Sequence, residues 1–73
     1  MKLETYKGFV IEARRVELQN NLGWSTVLLI KKHDKDSVTA KEIQVKGVFE
    51  TEDEAIESGL AQGRKVIDAG FLI

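Results

Sequence analysis

Between Thr51 and Gly70 the residues specify an amphipathic helix with a start, a stop and a buried stripe, and this constrains the fold more than any other stretch. Thr51-Glu52-Asp53-Glu54 fits a capping box, in which the Thr51 hydroxyl accepts from the Glu54 amide while the Glu54 side chain reaches back to the Thr51 amide. Three acidic residues in the first turn face the positive end of the helix dipole, and Arg64 and Lys65 lie near the negative end. Gly70 is placed to close the helix in a left-handed conformation, so the expected helix spans residues 52–69. Within it Ala55, Ile56, Gly59, Leu60, Gly63, Val66 and Ile67 recur at spacings of three and four, forming one apolar stripe. Gly59 and Gly63 each cost about 1 kcal/mol of helicity relative to alanine. Close approach to a sheet would explain them, with large side chains such as Phe9 or Leu28 filling the groove.

The rest of the chain has the period of strands. Over residues 6–18, Phe9, Ile11 and Ala13 share one face and Val10, Glu12 and Arg14 the other. Val16 and Leu18 have the opposite parity to Phe9, so a bulge near Arg14 and Arg15 is needed to turn them all to the core. After the turn at Asn20-Asn21-Leu22-Gly23, a second strand is expected over 24–32. A polar turn from His33 to Ser37 leads to a third over 38–46, and Ile43, Val45 and Phe49 share parity. The expected fold is α+β, a three-stranded antiparallel meander packed on one C-terminal helix (β-β-β-α), as a single domain over residues 1–73. The second strand, the most apolar, takes the centre.

A chain of 73 residues builds one small core, which disulfides, a structural metal or oligomerisation commonly reinforce. There is no cysteine and only one histidine, so neither a disulfide framework nor a thiolate or imidazole metal site is expected, and oligomerisation remains. The longest apolar run, Val27-Leu28-Leu29-Ile30, is far shorter than a membrane span, and the start Met1-Lys2-Leu3-Glu4 has no hydrophobic signal region. A cytoplasmic protein is expected. The net charge of −1 hides an asymmetry: residues 1–47 hold nine Lys/Arg and six Asp/Glu, while residues 48–73 hold two and six. The sheet is mildly basic and the helix acidic.

Tyr6-Lys7-Gly8, Gly23-Trp24 and the run Gly47-Val48-Phe49-Glu50-Thr51-Glu52-Asp53-Glu54-Ala55, continuing into Gly63-Arg64-Lys65-Val66-Ile67-Asp68, resemble a pattern found in small uncharacterised bacterial proteins. That resemblance covers most of the chain and implies a three-stranded sheet plus helix; those relatives have no settled function, so it carries over no activity. The Gly-x-Phe-x-Thr-x-x-Glu-Ala segment is also similar to the strand-to-helix junction of AP2-type DNA-binding domains, which implies DNA binding through the sheet.

His33, the only histidine, sits in a charged turn with no accompanying nucleophile motif, and reads as solvated. Glu52, Asp53, Glu54 and Glu57 lack the alternating oxygen ligands of a calcium loop, and dipole complementarity accounts for them. Gly59-x-x-x-Gly63 reads as a sheet-packing device rather than a helix-pairing motif. No catalytic, cofactor or metal residues are expected, and an enzyme is the least favoured class.

The second strand carries the functional signal. Trp24, Thr26, Leu28 and Ile30 occupy one face while Val27 and Leu29 occupy the other, and a single helix covers only one. The bare face is then an exposed apolar patch of the kind that soluble proteins reserve for interfaces. The favoured expectation is a non-catalytic interaction module, self-associating or protein-binding through the open sheet face or a strand edge. Its candidate residues are Trp24, Val27, Leu29 and the tail Phe71, Leu72 and Ile73, which would cover the sheet or join the interface. The alternative is nucleic-acid binding, with Arg14, Arg15, Lys31, Lys32, Lys41 and Lys46 contacting phosphates and Trp24 stacking. It requires those six cations to converge on one face.

Overall fold

The computed structural model describes residues 2–70. The fold is α+β, an antiparallel sheet and one C-terminal helix, with four strands rather than three. They are β1 (Lys2–Tyr6), β2 (Phe9–Glu17), β3 (Trp24–His33) and β4 (Val38–Phe49), in the spatial order β1-β2-β3-β4, followed by α1 (Glu52–Asp68). A short 3-10 turn, Gln19–Asn21, connects β2 to β3.

The expected first strand is divided. Tyr6 pairs with Phe9 across a two-residue turn in which Lys7 and Gly8 both have positive φ (49° and 85°), the geometry whose twist suits a tight hairpin. The bulge expected near Arg14 and Arg15 does not form. The pairs Arg14 to Val27, Arg15 to Thr26 and Val16 to Ser25 run in unbroken register, so Val16 points away from the helix and is 44% exposed. The irregularity lies instead between the pairs Trp24 to Phe49 and Thr26 to Val45, and β4 extends past the expected residue 46 through this kink.

Alternation puts Phe9, Ile11 and Ala13 of β2 on the same side as Thr26, Leu28 and Ile30 of β3, and all are buried. Ala55, Ile56, Gly59, Leu60, Gly63 and Ile67 of α1 are buried against them. Both glycines sit where a Cβ would collide with the sheet. At Gly59 it would lie 2.7 Å from Thr26 Cγ2 and 3.1 Å from Ala13 Cβ, and at Gly63 2.7 Å from Ile11 Cγ2. The filling side chains are thus Ile11, Ala13 and Thr26, not Phe9 or Leu28. Close packing also satisfies polarity, because the buried Thr26 hydroxyl donates to the Ala55 carbonyl at 2.7 Å.

The helix begins and ends one residue or less from expectation. Thr51 Oγ1 accepts from the Glu54 amide at 3.1 Å, while the reciprocal half differs: the hydroxyl itself donates to Glu54 Oε1 at 3.2 Å. At the other end Ala69 is the C-cap and Gly70 has φ 71°, its amide donating to the Ile67 carbonyl.

β1 is tied to α1 by polar side chains. Lys2 pairs with Glu57 at 2.9 Å, Glu4 with Arg64 at 2.7 Å, and Asp68 accepts from both Tyr6 (2.9 Å) and Lys7 (2.6 Å). The hydrogen bonds from Lys7 and Tyr6 hold the Asp68 carboxyl below its ordinary value of 3.8. A depressed carboxylate adds stability above its unfolded pKa, and that contribution is lost as pH falls through the lower folded value. In acid below about pH 4, wild type is expected to lose melting temperature more steeply than Asp68→Asn. Identical acid slopes would mean that this tie adds nothing.

Candidate protein interface

The face of the sheet opposite α1 is built in rows fixed by the register. Leu3, Glu12, Leu29 and Glu42 form one row, with Thr5, Val10, Lys31 and Ala40 on one side of it and Arg14, Val27 and Gln44 on the other. Among the described residues no second layer lies over these rows. Val27, Leu29 and Val10 are half-buried by their neighbours in the sheet, while Leu3 is 60% exposed.

At the centre stands a group that sequence reasoning missed. The Glu12 carboxylate is buried, with Arg14 Nε and Nη2 both 3.1 Å from its Oε1 and Lys31 Nζ 3.7 Å from its Oε2. Glu12 lies directly opposite Leu29, and Arg14 directly opposite Val27. The long stems of Arg14 and Lys31 therefore flank the two apolar residues while their charges end on Glu12. The bare face is narrower than a fully open apolar patch, with one carboxylate held between two cations at its centre. Only the register brings Glu12 beside Lys31, so no local signal marked it.

The remaining candidates divide between the two faces. Trp24 shares the helix side with Thr26, so it is separated from Val27 and Leu29. Arg15 lies over its ring at 5.9 Å while pairing with Glu52 at 3.1 Å. Lys32 is also on the helix side, 5.3 Å over the Phe9 ring, and Lys41 is half-buried there opposite Ile30. Of the six cations proposed to converge, Arg14 and Lys31 are on the bare face and spent on Glu12. Arg15, Lys32 and Lys41 are behind it, and Lys46 sits at the edge strand. They form no continuous phosphate-tracking surface, because adjacent strand residues must point to opposite faces. Phe71, Leu72 and Ile73 lie outside the described residues.

His33 ends β3 opposite Val38 and is exposed. Among the described residues no group of three or more His, Asp or Glu side chains is arranged to hold a metal ion, and no helix is long and apolar enough to cross a membrane.

The second uncovered part of the sheet is its rim. β4 is an end strand of 12 residues, so among the described residues its outer N–H and C=O groups face no neighbouring strand. Ile43 and Val45 on it are only half-buried, packed at the margin of the core. The opposite end strand, β1, has five residues and is tied to the helix.

No curated protein and no solved structure matches this chain, and no comparison brings up an AP2-type domain. One family model matches residues 1–72, with the uncovered sheet, its rim and the helix all inside the match, and the chain belongs to that family, described as Domain of unknown function (DUF6566).

Proposed function

We propose that this chain is a non-catalytic interaction module that assembles with a second copy of itself through the parts of the sheet that α1 leaves uncovered. One observation carries the reading. A four-stranded sheet has a helix on one face only, so Val27, Leu29 and the whole β4 rim lack a covering element among the described residues. A core of this size gains from association, because apolar surface left at the rim of the monomer is removed from water in the assembly. Arg14 and Lys31 of the bare face both pair with Glu12, and Glu42 in the same row supplies the second negative charge that balances them, which favours a protein surface over a polyanion as the partner.

Association that stabilises the folded chain makes its melting temperature depend on concentration. The melting temperature is expected to rise steadily as the protein is taken from low to high micromolar. A value independent of concentration would count against self-association.

A further inference from the structure

Resting on the self-association just proposed, we infer that two copies pair antiparallel along their β4 edges, with Gln44 on the two-fold axis. A two-fold axis normal to the sheet makes two β4 edges antiparallel and keeps both helices on one side. Under that operation residue pairs are symmetric about one central residue, and few choices exist. Centring on Lys41 or on Glu42 sets like charge against like. Centring on Ile43 places Lys41 against Val45. Centring on Gln44 places Glu42 of each copy opposite Lys46 of the other, and Ile43 of each opposite Val45 of the other.

This register alone among the four unites opposite charge with opposite charge and apolar with apolar. It also covers Ile43 and Val45, which one chain leaves half-buried. Charged residues on an edge strand ordinarily disfavour other strands, and here Glu42 and Lys46 find opposite charge only in this register among the four. The product is an eight-stranded sheet with both helices on one side and the two bare faces, each with its Val27 and Leu29, continuous on the other.

The chain has no cysteine, so Gln44→Cys introduces a single thiol on an exposed position. Residues directly opposed in an antiparallel pair have Cβ atoms about 4.5–5.5 Å apart, within reach of a disulfide. Mild oxidation is expected to convert Gln44→Cys to a covalent dimer. Ala40→Cys, whose two copies would stand about 27 Å apart at roughly 3.4 Å per residue, is expected to remain uncrosslinked. Glu42→Lys is expected to raise the dissociation constant roughly tenfold, with two pairs turned repulsive, and adding Lys46→Glu should restore it. A dimer by sedimentation that does not crosslink through position 44, or that ignores Glu42→Lys, overturns the edge register while self-association stands. A chain monomeric at every concentration overturns both.

Discussion

Gly63→Ala is expected to weaken the fold, although alanine is the better helix former. The substitution gains about 1 kcal/mol of helix propensity. Against this, the new Cβ would stand 2.7, 3.1 and 3.3 Å from three side-chain atoms of Ile11, a β-branched residue that is fully buried. Overpacking of this kind costs about 1–3 kcal/mol, so the net loss is up to about 2 kcal/mol. Gly59→Ala is expected to behave alike for a sharper reason. Its Cβ would meet Ala13 Cβ, which has no rotamer, and Thr26 Cγ2, which is held by the hydroxyl bond to the Ala55 carbonyl. Urea unfolding of each variant and of the double variant measures the effect. Stabilisation in either position would mean that the glycines are incidental and the helix is not held against the sheet by their absence of side chain.

Leu28→Ala is expected to have a larger effect. Leu28 has no exposed surface, lies at the middle of the sheet between Ala13 and Ile43, and is part of the core beneath α1. Truncation of a buried leucine costs about 2–5 kcal/mol, depending on how far the site collapses. At about 0.05–0.15 kcal/mol per residue the whole 73-residue chain has roughly 4–11 kcal/mol of stability. The variant is therefore expected to be at or near the folding threshold, with a broad, early urea transition and loss of melting cooperativity. A shift no larger than that of an exposed substitution such as Val48→Ala, at a residue 63% exposed, would contradict the placement of the core.

The helix was legible in the residues because several local signals agree on it: the Thr51 cap, the acidic first turn, the three-and-four spacing and Gly70. β1 was not legible. Its helix-side residues Lys2 and Glu4 are held by charged partners on α1 and only Tyr6 packs on the core, so they leave no hydrophobic alternation to detect. Its turn also places Lys7 at a positive φ where asparagine or aspartate would have flagged a hairpin. The misplaced bulge has a different origin. It followed from requiring every apolar residue to face the core, whereas Val16 is an apolar residue that the bare face simply exposes.

The candidate site was half legible. Alternation alone separates Val27 and Leu29 from Leu28 and Ile30, and the register agrees. The same alternation requires neighbours such as Arg14 and Arg15, or Lys31 and Lys32, to point to opposite faces, so their convergence could have been rejected from the sequence. The approach of Lys31 to Glu12, and the position of Glu42 to Lys46 on an outer edge, depend on which strand lies beside which. Those relations are absent from any local window.

The parts of the sheet without cover tie the fold to the proposed role, and the mass of the unaltered chain in solution tests that link most directly. Sedimentation equilibrium through the micromolar range is expected to give twice the 8.2 kDa of one chain at the upper end, with dissociation on dilution. A mass that stays at 8.2 kDa throughout would contradict it.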